Sequence, residues 1–446
     1  MLGGSWSVPP AGSSQMATFN QMPNEILEQI FDHLDYRSRR NLTLVCRRWN
    51  AVLLSDRFIT RHVTLVIDGQ RTLTLHKHPM HRTYPNLTLK LDNAINGDAF
   101  KGLRLLPTIV PSPSTVALHL AFPNDPRWVA LCEEQQFVNL RTVQRLHLTG
   151  SCRTEHPRKP LILQMDQLRL LDLVCSGVQD LWLVAPKLSR LHLHVLSEEH
   201  LDFLLHFIHQ LRTLSIVFDA KESFFFYHLK PTRLRELAID RRQKGMTKSE
   251  RNISIAFFKR LDQLQRLELR VKFIDSYVLH TIADGLKQLC ELSLEVAEGT
   301  IELKHIASLT RLQRLRIVAC RVNLQNVHLP ALESLELGSA ELPGTYLEGI
   351  EGLMAFHRMR SLTLMNVKVY PEMLQLTPTY SVERMVIAYY RRLEETHLLI
   401  LVKRFPALRW LRVSHCHGVY QRELDKLKRM MPTLAVAFDE AKSDRI

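Results

Sequence analysis

A three-position apolar block, LxxLxL, returns along most of this chain. It is plain from residue 140, in LRTVQRLHL, QLRLLDL, PKLSRLHL, LRTLSI, LRELAI, LQRLEL, LCELSL, RLQRLRI, LESLEL, RSLTL, VERMVI, LRWLRV and PTLAV. Its central residue falls at 146, 171, 191, 214, 237, 267, 292, 315, 335, 362, 385, 411 and 434, with gaps of 20 to 30 that average 24. Weaker versions come earlier, at Val63-Leu65-Ile67, Leu87-Leu89-Leu91 and Val116-Leu118-Leu120. The last two apolar residues of each block alternate with polar ones, which predicts a strand with one buried face. Some intervening stretches carry helical stripes: Leu201, Leu204, Leu205 and Ile208, then Val278, Ile282 and Leu286. The gaps 171 to 191 and 315 to 335 leave little room for a helix and predict an extended or 3₁₀ return. A strand and its return cannot close a core alone, so neighbours must stack.

Ahead of the blocks the period changes. Pro23, with φ pre-set and no N–H, suits the first position of a helix. Ile26, Leu27, Ile30, Phe31 and Leu34 then recur at helical spacing. A polar connector, Asp35 to Arg40, leads to a second apolar set of Leu42, Val45, Cys46, Trp49 and Leu53. The stretch Phe19 to Leu54 thus predicts a helical bundle. A unit below roughly 40 residues buries its apolar surface poorly and should lend part of it to a partner. The domain plan is a Ser/Gly/Pro-rich tail over 1–18, the bundle over 19–56, a linker with weak repeats over 57–139, the array over 140–437 and a tail over 438–446.

The front stretch also resembles an F-box. A Met-Pro pair precedes acidic and aliphatic residues and then VCRRWNAV, and Pro23, Glu25, Leu27, Ile30, Leu34, Leu42, Val45, Cys46 and Trp49 fall where that family's pattern places them. Met22 stands where a leucine is usual, a swap of similar volume. The resemblance implies docking on the Skp-type adaptor of a cullin ubiquitin ligase through Met22, Pro23, Ile26, Leu27, Ile30, Leu34, Leu42, Val45 and Trp49. The blocks have the period of leucine-rich repeats, so the chain after residue 18 resembles F-box/leucine-rich-repeat proteins, the substrate receptors of Skp–cullin–F-box ligases. The cysteine that this subfamily often places after the strand occurs only at Cys320 and Cys416. The implied fold is α/β: a small helical F-box, then a solenoid with one parallel strand per repeat and a helix or 3₁₀ segment on the convex side. The implied partners are the adaptor, a cullin held through it, and a target protein on the repeat arc.

Composition narrows the setting. Hydrophobic residues make up 46% and charged residues 23%, as in soluble globular chains. No unbroken apolar run exceeds six residues, which predicts no membrane span. The first twenty residues carry no secretory pattern, and neither a myristoylation nor a prenylation signal is expected. Seven cysteines, an odd count with no CxxC, predict a reducing compartment, cytoplasm or nucleus. His415-Cys416-His417 would alternate faces on a strand and so could not ligate one ion. No phosphate-binding, zinc-protease or nucleophile-elbow motif is present. The expectation is a binding protein with no cofactor, no metal and no catalytic residue.

The net charge of +14 raises nucleic acid or an anionic membrane as alternatives. Residues one before, one after and three after each central leucine should face out from the concave sheet, over an arc of roughly 60 Å at about 4.8 Å per rung. Those positions hold eight arginines, at 145, 190, 266, 270, 314, 316, 384 and 412. They also hold seven acids: Asp172, Glu236, Asp240, Glu268, Glu291, Glu295 and Glu336. Arg266, Glu291 and Arg314 share a column on successive rungs, as do Arg270 with Glu295 and Arg316 with Glu336; His147, Asp172 and His192 form another alternation. Such a mosaic fits cross-rung pairing or a protein partner, whereas a nucleic-acid groove would want an unbroken basic column. The candidate target-binding residues are Arg145, His147, Arg190, His192, His194, Arg266, Arg270, Arg314, Arg316, Arg384, Trp410 and Arg412. Remaining positive charge collects in Arg241–Arg251, in Arg422, Lys426, Lys428 and Arg429, and in the bundle at Arg37, Arg39, Arg40, Arg47 and Arg48. The loop 241–251 would serve a nucleic-acid or anionic-lipid reading, and a scaffold without ligase activity is the other alternative.

Overall fold

A computed structural model describes residues 22–68, 85–90, 116–121, 141–151, 161–195, 199–218, 233–242, 257–339, 344–368, 381–390, 395–417 and 419–439. The expected tail over 1–18, the last residues 440–446 and the basic stretch 243–251 lie outside the described residues.

The front is a four-helix unit: α1 (Asn24–Asp32), α2 (Tyr36–Leu42), α3 (Arg47–Leu53) and α4 (Asp56–His62). Pro23 is the N-cap of α1, one place before the position its ring suggested, and its carbonyl accepts from the Ile26 and Leu27 amides at 3.1 Å. The stretch read as a polar connector is a helix, because Asp35 Oδ1 accepts from the Ser38 amide at 2.7 Å and caps it. The thiol of Cys46 takes the same role for α3, accepting from the Trp49 amide at 3.4 Å. A fourth helix carries the bundle past the boundary at 56; Ser55 caps it and Phe58 enters the bundle core beside Leu27, Phe31, Val52 and Leu53.

Val63 alone separates α4 from the first strand, Thr64–Asp68, and its carbonyl accepts from Asn86 Nδ2 at 3.2 Å. From there a parallel sheet follows, eighteen strands among the described residues; two short ones, Thr345–Glu348 and Val367–Lys368, form a side ladder, and the rest are rungs. The inward residues align one to one. Leu65, Leu87, Leu118 and Leu146 are in register, so the three weak early blocks stack with the array. The register continues from Leu146 through Leu171, Leu191, Leu214, Leu237 and Leu267. It goes on through Leu292, Leu315, Leu335, Leu362, Met385 and Leu411. At the last rung the partner of Leu411 is Val436, not Leu434. Leu434 is buried just before the strand Ala435–Asp439, which runs past the boundary expected at 437. One continuous apolar core lies behind all rungs.

Helices Glu199–Phe207, Ser276–Gly285, Glu395–Lys403 and Gln421–Met430 cover the other side. The 171-to-191 gap returns through a 3₁₀ turn, Val178–Asp180, and a strand, Leu181–Val184, which pairs with Leu161–Gln164. The 315-to-335 gap returns without a helix. Glycine is required where two rungs end side by side: Gly338, the last residue of the strand Ser334–Gly338, has φ +86°, and a Cβ there would overlap the carbonyl oxygen of Met365, its register partner.

Candidate functional site

The sequence stripe on α1 divides between inside and outside. Leu27 and Phe31 are buried at 0 and 1% exposure, Ile30 and Leu34 are half-buried, and Pro23 and Ile26 are exposed. Leu27 therefore belongs to the bundle's own core, and its expected place at a partner surface is corrected. Met22, Leu42 and Trp49 pack against that core and are half-buried. The turn after α2 shows Val45 at 59% and Leu44 at 84% exposure. Leu44 is not among the expected residues; its signal is the second leucine of LTLV, in the turn between α2 and α3, where Leu42 already packs on the bundle core.

Two bundle arginines are structural. Arg39 donates from Nε to the Phe31 carbonyl at 2.9 Å and from Nη2 to the Asp32 carbonyl at 2.8 Å, closing the end of α1. Arg48 donates to Asn24 Oδ1 at 2.9 and 3.1 Å and to the Met22 carbonyl, tying α3 to the start of α1. Neither is the free cation that an encounter with an acidic adaptor would use; Arg37, Arg40 and Arg47 are exposed.

On the sheet, the predicted columns exist. Arg266 Nε lies 2.8 Å from Glu291, which also meets Arg314 at 2.7 Å. Arg316 reaches Glu336 at 2.8 Å, and Arg270 sits among Glu268, Glu295 and Asp240 at 2.7, 3.7 and 3.6 Å. Burial pulls the Arg270 guanidinium down, but these three carboxylates outweigh it and hold the group above its ordinary pKa. Arg412 pairs with Asp439 at 2.6 Å. The residues around Arg266, Glu291 and Arg316 line a shallow depression of about 310 Å3. A second, of about 330 Å3, is lined by Asn86, His119, Arg145, His147 and Asp172 beside Arg61 of α4. There His147 Nδ1 and Asp172 Oδ2 stand 2.5 Å apart, and the His119 and His147 rings meet edge-on at 4.3 Å. Arg190, His192 and His194 follow on the next rung, and Arg384 and the half-buried Trp410 lie towards the far end.

Other expected groups are placed differently. Arg241 is buried at 3% exposure, and Arg242 is engaged by Asp240 and Glu295 at 3.3 and 3.7 Å, so the basic loop's first two residues are not a free patch. His415-Cys416-His417 follows the strand instead of lying on it; His415 has φ 53° and stacks on Tyr389 at 4.9 Å, and Cys416 is buried. Burial pushes the Cys416 thiol up in pKa. Among the described residues no group of three or more His, Cys, Asp or Glu could hold a metal ion.

Comparison with known proteins decides the front unit, since residues 19–65 match the F-box-like family. This chain carries an F-box-like domain. Over 56 residues it is 40% identical to F-box/LRR-repeat protein 12 of Bos taurus and of Homo sapiens, a segment that is 13% of this chain and 17% of either relative. Behind the F-box the fold is a leucine-rich-repeat solenoid. The chain superposes on the protein of a TLR13–ssRNA13 complex with a TM-score of 0.51 at 14% identity, covering 84% of this chain and 55% of that one. No described helix is long and apolar enough to cross a membrane.

Proposed function

We propose that this chain is the target-recognition subunit of a Skp–cullin–F-box ubiquitin ligase. The observation that carries the reading is an F-box whose core closes without Pro23, Ile26, Leu44 and Val45, leaving them exposed. Exposed apolar side chains of this kind suit a partner that completes the burial. In this reading Met22, Ile30, Leu34, Leu42 and Trp49 border the adaptor contact, the cullin is held through the adaptor, and the concave sheet holds a target protein. Holding the target raises its effective concentration beside the ubiquitin-charged enzyme. The chain itself performs no chemistry; ubiquitin transfer belongs to other subunits, in the cytoplasm or nucleus.

The test is co-purification of the tagged chain, wild type beside Ile26→Asp/Val45→Asp, probed for adaptor and cullin. Both substitutions are at exposed positions, so the F-box should stay folded. Adaptor and cullin should accompany wild type and be lost from the variant. Their absence from wild type, or their retention by the folded variant, overturns the proposal.

A further inference from the structure

The charges along the sheet divide it into two regions. At the edge where the strands begin, each backbone carbonyl accepts two successive amides of the next rung, as Gln144 does from Arg169 at 2.9 Å and Leu170 at 3.1 Å. This builds a column two positions before the inward leucines. Towards the C-terminal end the column alternates in sign through Glu333, Arg360, Glu383 and Arg409. Towards the N-terminal end it reads Gln144, Arg169, Ser189, Arg212, Arg235 and Gln265, with no acid. In the adjoining column Arg145 stands between Ala117 and Leu170, and Arg190 between Leu170 and Thr213, again with no acid beside them.

Five successive rungs, those of Leu146, Leu171, Leu191, Leu214 and Leu237, therefore each present one arginine at the same edge. All five are exposed. Arg145 donates to the neutral Asn86 Oδ1 at 3.3 Å, and among the described residues no carboxylate lies within ion-pair distance of any of the five. Glu236, next to Arg235, likewise forms no ion pair among the described residues. The contrast with Arg266, Arg314 and Arg316, each held by a glutamate, is direct. Like charges on neighbouring rungs oppose folding, so this strip is complementary to a ligand that brings the missing negative charge.

We propose that the arginine strip binds an extended acidic segment, rich in carboxylates or phosphoryl groups, of the target protein; this rests on the reading of the chain as a target receptor. An extended peptide lying across the rungs turns every second side chain to the sheet, about 6.8 Å apart, against an arginine about every 4.8 Å. Guanidinium groups take carboxylate and phosphoryl oxygens in pairs. A single nucleic-acid strand would also want aromatic platforms for its bases. The outward positions of the rungs from Ala117 to Asp240 carry no Phe, Tyr or Trp.

The experiment is fluorescence anisotropy of the purified full chain with three probes. They are a labelled peptide of about twelve residues alternating Glu and Ser, its Gln counterpart, and a single-stranded oligouridylate of equal length. Wild type should bind the Glu peptide, more weakly with added salt, and should not bind the Gln peptide. Arg169→Gln/Arg212→Gln/Arg235→Gln should weaken binding about tenfold or more, whereas Arg314→Gln/Arg316→Gln, whose guanidiniums are already held, should change it by less than about twofold. A retained cooperative melting transition in both variants confirms that the exposed substitutions leave the fold intact. No binding by wild type, equal binding by the triple variant, equal loss in both variants, or tighter binding of the oligouridylate overturns the proposal. The assay contains no adaptor, so its failure leaves the adaptor docking test standing, and the reverse also holds.

Discussion

The indole of Trp49 meets the ring of Phe31 edge-on, with centroids 5.4 Å apart and planes inclined at 62°. This contact locks α3 to α1. Trp49→Ala should cost the F-box about 2–3 kcal/mol, below the figure for a fully buried aromatic because Trp49 is half-buried. Hydrogen exchange of the α1 and α3 amides should accelerate while that of the repeat strands stays slow. Loss of adaptor binding by Trp49→Ala would then mix a loosened F-box with a lost contact, which is why Ile26 and Val45 are the sharper test.

Glu291 holds two arginines from neighbouring rungs at once. All three side chains are partly exposed, so Glu291→Gln should lower stability by less than about 1 kcal/mol. A urea midpoint shift corresponding to more than about twice that would mean that the column is a structural brace.

Gly338 and Gly299 both have positive φ, +86° and +100°, but differ in their surroundings. A Cβ at Gly338 would overlap the Met365 carbonyl, whereas one at Gly299 meets nothing within 4 Å. Gly299→Ala should cost about 1 kcal/mol from backbone strain alone, and Gly338→Ala clearly more, read from denaturant midpoints of the two variants side by side.

Asp35 has its carboxyl held below the usual range, first by the Ser38 amide it accepts from and then by the Ser38 hydroxyl. A depressed folded-state pKa means stability that is fully present above about pH 4, the unfolded value, and lost as pH falls through the folded one. Asp35→Ala should therefore destabilise the F-box at neutral pH, and the difference from wild type should shrink below that value. A gap independent of pH would remove the carboxylate from the account.

Cys175 and Cys416 are buried, and Cys416 is further disfavoured as a thiolate; Cys46, Cys290 and Cys320 are partly exposed. Brief alkylation of the native chain, read by mass spectrometry, should modify Cys290 and Cys320 and spare Cys175 and Cys416. Fast labelling of Cys416 would contradict its placement.

Much of this was legible in the chain. The inward leucines fix the register, since a one-residue slip would turn every side chain over, and so Arg266, Glu291 and Arg314 could be put in one column beforehand. The last rung was misread because PTLAV is a residue shorter than its predecessors: Leu434 fills the turn and Val436 takes the inward place. Helix α2 escaped because apolar periodicity cannot reveal a helix made by its cap, with Tyr36-Arg37-Ser38-Arg39-Arg40 along it. The arginine strip is hidden for a simpler reason: Arg169, Arg212 and Arg235 precede the strands, where strand alternation does not assign a face, although they recur two places before the inward leucine.

Val63 is the whole connection between the F-box and the first rung, and Asn86 grips it from the second. With no tether to swing on, the solenoid behaves as a graduated arm. At about 4.8 Å per rung the arginine strip starts roughly 15 Å and ends roughly 35 Å along the stack from its first strand. A cargo held there rides at a set offset from whatever grasps the F-box. Moving the five arginines a few rungs along would displace the cargo without loosening it, and a flexible insert at Val63 would scatter its position while leaving its affinity unchanged.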